Sequence, residues 1–190
     1  MEKLASLLLS RCHAGIHPVG LSSSAYQRIN KELNMKPLAK EVISNAEVGR
    51  MMSDRDVSKF SPMEIREAIQ SLVIEGKDSL ANALGDAGLS LYPESEDILA
   101  ITGLLALMRQ DWTYAVDLME QLQKLQGDKT PAFTYVMLVR ALRCNLEPVR
   151  AAHICTEALK QYPEQIELVA EGLLLQDFMS ASLLETNTEH

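Results

Sequence analysis

The spacing of apolar residues predicts helices along most of the chain. Between Glu164 and about Ser180, apolar positions recur every three or four residues, as they do on one face of an α-helix; they are Ile166, Leu168, Val169, Leu173, Leu174 and Phe178. Shorter helical segments are indicated nearer the N-terminus, from Glu2 to Cys12, Ser24 to Leu33 and Pro37 to Met52. The chain is rich in Leu, Ala and Met and only 5% aromatic, which favours helices because unbranched side chains lose little rotamer freedom there. We therefore predict an all-α fold.

Two similar strings indicate an internal repeat. GLSLYPESEDI contains Pro93 and ALKQYPEQIEL contains Pro163, and in both an apolar helix tail runs into Tyr-Pro followed by acidic residues. Proline lacks the amide hydrogen that a helix interior needs, so each Tyr-Pro marks a break between two helices. The prolines are 70 residues apart, about two periods of 34, and Gly127 lies between them at the expected turn. This register gives three units, at about 62–95, 96–129 and 130–163.

The middle unit, DILAITGLLALMRQDWTYAVDLMEQLQ, resembles the tetratricopeptide repeat. Leu99, Gly103, Trp112 and Ala115 stand where that repeat has a large residue, a small one, an aromatic and an alanine. The resemblance implies paired helices in close contact, with Gly103 leaving room for Ala115. The outer units match at other positions, namely Ala68, Gly76, Ala81, Leu89, Leu91 and Pro93 in the first and Leu138, Ala151, Ala158, Leu159 and Pro163 in the third.

Some positions depart from the repeat pattern. Val139 replaces the small residue of the third unit, Pro148 replaces its aromatic, and Gly85 and Gly88 are expected to weaken the second helix of the first unit. A generic array of helical hairpins, or a non-repeating helical bundle, would satisfy the same spacing. On the tetratricopeptide interpretation, the fold is a short all-α solenoid of helical hairpins with an N-terminal helical segment and a C-terminal capping helix.

Three regions follow from this interpretation: an N-terminal cap or arm at 1–60, a repeat body at 61–180 that ends in the capping helix 164–180, and a frayed tail at 181–190. The formal charge of −8 is unevenly placed, with +3 in residues 1–60 and −11 in residues 61–190. We expect the basic segment to fold back on the acidic body. A dimer contact, or an arm that stays mobile until a partner arrives, are alternatives, and the charges can also serve only to solvate helix faces.

Composition also excludes several classes of protein. A net negative chain lacks the basic face that phosphate binding needs, so no nucleic-acid partner is expected. Three scattered cysteines with no C-x-x-C spacing give neither a disulfide framework nor a redox motif, as in a reduced cytoplasmic protein. The apolar run Leu4–Leu9 is interrupted by Arg11 and is too short for a secretory signal, and no stretch approaches the ~20 apolar residues of a membrane span. We predict a cytoplasmic protein that does not insert into membranes.

Candidate chemistry is sparse. His13 and His17 have helical i, i+4 spacing, but Gly15 and Pro18 argue against one continuous helix that would present both to a metal. His153 and Cys155 are two residues apart and would point to different faces of a helix. The acidic residues after Pro93 are explained by the favourable charge at a helix N-terminus, and no phosphate-binding loop or nucleophile-elbow motif occurs. We predict no catalytic residues, no metal and no cofactor, and therefore not an enzyme.

In stacked helix pairs, the first helix of each pair lines a concave groove. The predicted groove residues are Met63, Arg66, Gln70, Asp97, Leu104, Met108, Phe133, Val136, Arg140 and Arg143. Apolar anchors with a few guanidinium groups suit an extended or helical peptide that carries small hydrophobic and some acidic residues. A register shift of one residue would instead place Leu104, Phe133 and Val136 in the core.

Residues 85–175 are similar to the repeat bodies of the tetratricopeptide-type chaperones of bacterial type III secretion. The similarity lies in ILAITGLLALMRQDWTYAVDLMEQLQKLQ followed by a turn and TYVMLVRALRCNLEP. It implies a virulence-associated chaperone that shields a needle or translocator client until export, with a protein or peptide partner and a possible homo- or hetero-oligomer. A scaffold of a secretion apparatus, and a regulator that binds a transcription or signalling factor, are the alternatives.

Overall fold

The computed structural model describes residues 35–47, 49–50 and 52–186, and these contain helices and no strand. The α-helices are α1 Pro37–Glu47, α2 Asp54–Val57, α3 Pro62–Ile74, α4 Asp78–Leu91, α5 Glu96–Met108, α6 Trp112–Gln126, α7 Ala132–Cys144, α8 Pro148–Gln161 and α9 Ile166–Thr186, with a 3-10 helix at Gly127–Lys129. The fold-class prediction, an all-α array of helix pairs, is confirmed.

The helices alternate in a regular register. The first helices of the pairs, α3, α5 and α7, each have 13 residues and begin 34 and then 36 residues apart. Each is followed by a residue with positive φ, namely Gly76, Gln110 or Leu146, before the second helix begins. A left-handed residue after a helix redirects the chain sharply, and it is strained at Gln110 and Leu146 because they carry a Cβ. Helix α9 begins 34 residues after α7 and so takes the place of a fourth first helix.

The two Tyr-Pro strings close their helix pairs in the same way. The Tyr92 hydroxyl donates to the carbonyl of Phe60 at 3.0 Å, just before α3, and the Tyr162 hydroxyl donates to the carbonyl of Thr130 at 2.8 Å, just before α7. Both pairs of residues are 32 apart. Each tyrosine therefore ties the end of a second helix to the start of the first helix of the same pair.

Helix ends differ from the sequence expectation at both ends of the described chain. The predicted helix from Pro37 to Met52 stops at Glu47, because Gly49 adopts a φ of +69° and a separate short helix, α2, follows. At the other end, α9 continues to Thr186, beyond the predicted limit near residue 180. The predicted helices at Glu2–Cys12 and Ser24–Leu33 lie outside the described residues. The proposed division at residue 60 stays a prediction.

The chain divides into two compact units, one up to Arg109 and one from Gln110. In unit 1, α3 packs on α4 and α5, α4 packs on α5, α1 packs on α3, and α2 packs on α4. Helix α3 begins with a capping box, in which the Ser61 hydroxyl accepts from the Glu64 amide and the Glu64 carboxylate accepts from the Ser61 amide. In unit 2, α7 lies against α6, α8 and α9, and α8 packs on α9.

Gly103 of unit 1 and Ala115 of unit 2 are both buried, and their close approach stays a prediction.

Gly85 and Gly88 are sites of close helix packing, a role that the sequence analysis did not give them. A Cβ at residue 88 would lie 3.3 Å from side-chain atoms of Ile65 and of Ile98. A Cβ at residue 85 would lie 3.2 Å from the Thr102 hydroxyl oxygen. The missing side chains let α4 approach α3 and α5 closely, which offsets the lower helix propensity of glycine.

We expect Gly88→Leu to destabilise the protein by about 1–3 kcal/mol, because the added side chain overpacks the contact with Ile65 and Ile98. The matched control is Gly172→Ala on α9, where a Cβ meets its nearest neighbour, the Cys155 sulfur, at an ordinary 3.5 Å. That change is expected to be neutral or to stabilise by up to about 1 kcal/mol through helix propensity. Urea unfolding of the three proteins measures both effects. Equal stability of Gly88→Leu and the parent would contradict the packing described for α4.

Candidate protein-binding surfaces

The predicted groove residues lie on the first helices of both units, and we call these surfaces the first-helix faces. In unit 1, Met63 is exposed, Arg66, Gln70, Asp97 and Met108 are partly buried, and Leu104 belongs to the core. In unit 2, Phe133 and Arg143 are partly buried, and Val136 and Arg140 are buried. Leu104 and Val136 therefore lie in the core, which is the alternative to the groove that the sequence analysis gives for these residues. Whether the exposed members bind a client stays a prediction.

Arg140 and Arg143 on α7 share one buried carboxylate from α9. Glu171 is only 1% exposed; one of its oxygens accepts from Nε and Nη2 of Arg140, both at 2.6 Å, and the other accepts from Nε of Arg143 at 3.0 Å. Hydrogen bonds from two guanidinium groups to both oxygens of this carboxylate offset the cost of removing it from water. Nη1 of Arg140 is buried and has no hydrogen-bond partner among the described residues. This cluster therefore holds one excess positive charge and one unsatisfied donor.

Ion pairs at one sequence interval join neighbouring first helices. Arg66 pairs with Asp97 in unit 1, and Arg140 pairs with Glu171 in unit 2, in each case across 31 residues. Lys36, just before α1, pairs with Glu67 of α3 across the same interval, at 2.9 Å. Sequence reasoning missed Glu171, although the 31-residue interval from Arg66 to Asp97 was a signal that could have found it.

Two large apolar side chains extend the first-helix face of unit 2 along α9. Leu174 and Phe178 follow Glu171 at i+3 and i+7, so they lie on the side of α9 that meets Arg140 and Arg143. Leu174 is 38% exposed and Phe178 is 46% exposed. The first-helix face of unit 2 therefore combines exposed apolar surface with two partly neutralised guanidinium groups.

A second side of α9 is also apolar and exposed, and we call it the outer face. It carries Ile166, Val169 and Leu173, of which Ile166 is 78% and Leu173 is 57% exposed. The opposite side of the same helix is buried on α8 and α7 through Leu168, Glu171 and Leu175. The predicted capping helix, α9, thus packs on α7 and α8, but its outer face is apolar and exposed to solvent.

Unit 1 contains an apolar cleft that the sequence did not indicate. It has a volume of about 530 Å3 and lies between α1, α2 and α4. Its lining is mainly small and aliphatic, with Val42, Ala46, Met52, Val57, Leu80 and Leu84 among the lining residues and Arg50 and Asp86 as charged members.

The described thiols and histidines do not form a reactive or metal-binding site. Burial raises the pKa of both the Cys144 and the Cys155 thiol, which keeps these groups in the neutral, weakly nucleophilic form. Cys155 is also hydrogen-bonded to the carbonyl of Leu168 at 3.5 Å. Among the residues that the structure describes, no three His, Cys, Asp or Glu side chains converge as metal ligands would. His13 and His17 lie outside that set.

None of the described helices combines the length and the apolar character that crossing a bilayer would require. No protein-family model matches the chain, and no curated protein sequence does. Among solved structures, the chain is similar to residues 1–338 of the assembly chaperone of RpL4 (Acl4), with a TM-score of 0.52 and 11% sequence identity. The similarity covers 98% of this chain and 70% of that one. At this identity it shows a shared helical fold and nothing more.

Proposed function

We propose that this chain is a non-catalytic, chaperone-like module that binds a polypeptide client on the first-helix face of unit 2. The observation that carries the proposal is the exposure of Leu174 and Phe178 beside the cluster of Arg140, Arg143 and Glu171. Large apolar side chains on a monomer's surface cost free energy until a partner removes them from water, at about 25 cal/mol per Å2.

The charged cluster beside this apolar surface indicates which residues a client should carry. Two guanidinium groups face one carboxylate, so an acidic group on a client would meet excess positive charge. Nη1 of Arg140 would gain an acceptor if a small side-chain shift opened it to a client carbonyl, and an unsatisfied buried donor costs about 1–3 kcal/mol. The client we expect is a segment with two or three apolar residues and at least one acidic residue.

A chaperone duty fits this surface better than catalysis does. The described thiols are held neutral, and the exposed features are apolar side chains with paired charges. One solved structure with a similar fold is by its name an assembly chaperone, and this supports the proposal. A needle or translocator client of type III secretion is a finer hypothesis that rests on the repeat resemblance alone. The cytoplasmic location also stays a prediction.

A scaffold is the second candidate, because α9 exposes apolar residues on two different sides. Leu174 and Phe178 lie on one side, and Ile166 and Leu173 lie on the other. Two separate surfaces would let one chain hold two partners at once. A client that is insoluble alone indicates a chaperone, whereas two partners that are each soluble alone indicate a scaffold.

The test compares client binding by the parent and by the double variant Leu174→Ser with Phe178→Ser. The client is the polypeptide that co-purifies in stoichiometric amount, and it is then produced separately for titration. Loss of two apolar contacts of about 1 kcal/mol each weakens binding by roughly 10–30-fold. The control is Val149→Ser, a more exposed apolar residue on α8, which should leave the affinity unchanged.

Turbidity of the client on dilution from denaturant supplies the second measurement. The parent should keep the client in solution, and the double variant should not. A client whose affinity is the same for all three proteins would move the site away from the first-helix face of unit 2. Charge reversal at Arg140 and Arg143 is a poor test, because it would surround the buried Glu171 with like charge and unfold the site.

A further inference from the structure

The turn between α7 and α8, residues 145–150, exposes two large apolar side chains, and we call it the α7–α8 corner. Leu146 is 77% exposed and Val149 is 72% exposed. Leu146 has a φ of +61°, in the left-handed region that is unfavourable for a residue with a Cβ. Gly76 takes the same place after α3 with a φ of +70°, where glycine is not strained. Leucine at residue 146 therefore strains the backbone and gains little burial among the described residues.

Polar contacts stabilise the α7–α8 corner around these two side chains. The Thr113 hydroxyl is hydrogen-bonded to the Asn145 side chain at 3.0 Å, and Asn145 in turn donates to the Glu147 carboxylate at 2.6 Å. Arg150 pairs with both Glu147 and Glu120. A turn that is already held in this way loses less conformational entropy on binding than a free loop would. The corner is therefore a suitable protrusion for insertion into an apolar cavity.

The cleft of unit 1 offers such a cavity. Its volume of about 530 Å3 lies within the range of roughly 300–1,000 Å3 that accepts a whole small ligand, so two aliphatic side chains fit. Aliphatic side chains of α1, α2 and α4 form most of its lining. Its two charged members, Arg50 and Asp86, are exposed, and neither forms an ion pair with another described residue.

The charges of the corner complement those of the cleft. At the corner, the carboxylates of Glu120 and Glu147 share the single guanidinium group of Arg150, so the excess charge is negative. Arg50 of the cleft would meet this excess, and Asp86 would meet Arg150. Charges of opposite sign on two apolar surfaces favour their association in one orientation.

We propose that the α7–α8 corner of one copy of this chain inserts into the unit 1 cleft of a second copy. Leu146 and Val149 leave water and contact the aliphatic lining, and the charged groups pair around them. The contact is small, so the association is weak and the protein dissociates into monomers on dilution. This inference does not rest on the proposed client site, because the contact uses neither Leu174 nor Phe178.

The first test compares the full chain with Leu146→Gly by sedimentation velocity over a range of protein concentrations. We expect the mass of the parent to rise with concentration, and the variant to associate at least about tenfold more weakly. Leu146→Gly also removes the backbone strain, so urea unfolding should show a fold at least as stable as that of the parent. The matched control is Gln110→Gly, an exposed residue with a φ of +63° after α5, which should leave the association unchanged.

The second test mixes two variants that lack opposite halves of the contact. Ala83→Glu places a carboxylate at an exposed position that lines the cleft, where it would repel the negative corner of another copy. Each variant alone should stay monomeric at concentrations where the parent associates. An equal mixture should form a dimer again, because Leu146→Gly keeps an intact cleft and Ala83→Glu keeps an intact corner.

Three results would overturn the inference. A parent that stays monomeric at every concentration would assign the cleft to another part of this chain or to another protein. Association that survives Ala83→Glu would indicate copies joined corner to corner, and association that survives Leu146→Gly would indicate copies joined cleft to cleft. A mixture of the two variants that forms no dimer would show that the corner and the cleft do not bind each other.

Discussion

Replacing Glu171 by alanine is expected to destabilise unit 2 by about 3–5 kcal/mol, because the change leaves Arg140 buried without its counter-charge. Glu171 is almost completely buried, and each of its oxygens is hydrogen-bonded to a guanidinium group. Removing one partner of such a cluster costs more than the cluster contributes, since the remaining charge is cut off from water. Urea unfolding followed by circular dichroism measures the loss.

Glu157→Ala is the matched control for Glu171→Ala. Glu157 also pairs with a cation, Lys160, but both side chains are at least half exposed and lie one turn apart on α8. An exposed pair of this kind contributes little to stability, because water and salt screen the attraction. If the two glutamate variants unfold at the same urea concentration, Glu171 does not hold α9 to α7 in the way described.

Removing residues 1–60 is expected to leave a folded but less stable protein that self-associates. The truncation removes α1 and α2, which pack on α3 and α4 through the buried residues Leu38, Ala39 and Val57. Leu38 and Val57 together account for about 3–6 kcal/mol of apolar burial, and their loss uncovers the surface of unit 1 beneath them. Circular dichroism and light scattering on residues 61–190 measure helicity and association.

Two outcomes of this truncation would contradict the expectation. A truncated protein as stable and as monomeric as the parent would mean that α1 and α2 contribute nothing to unit 1. A truncated protein without helicity would mean that residues 1–60 and the body fold as one cooperative unit. Leu38→Ala in the full chain is the control for packing alone, and Lys36→Ala is the control for the ion pair with Glu67.

Local signals allowed the helix register to be predicted from the sequence. A proline after Tyr92 or Tyr162 stops a helix wherever the rest of the chain lies, and helical spacing of apolar residues needs no knowledge of neighbours. The carbonyl groups that accept hydrogen bonds from the two tyrosines could not be identified in this way. The carbonyls that accept from Tyr92 and Tyr162 lie 32 residues earlier and leave no pattern of side chains.

The candidate site could be predicted less well than the helices. The role of a side chain depends on its partner, and the partners here lie on other helices. The sequence predicts Arg140 and Arg143 as groove residues that would meet acidic groups of a peptide, whereas the packing of α9 on α7 places Glu171 between them. Gly88 read as a weak point of α4 until Ile65 and Ile98 were found against it. The apolar pattern of α9 correctly indicated a helix but gave no measure of how much of that helix other helices cover.

Site-specific photo-cross-linking tests the central claim, that the first-helix face of unit 2 binds a polypeptide client. A photoreactive phenylalanine analogue is placed at residue 178, and in separate proteins at residue 153, where the exposed His153 lies on α8. The account predicts that the co-purified client cross-links efficiently at residue 178 and not at residue 153. Cross-linking at residue 153 with none at residue 178 would contradict it, and so would a client that cross-links equally at both positions.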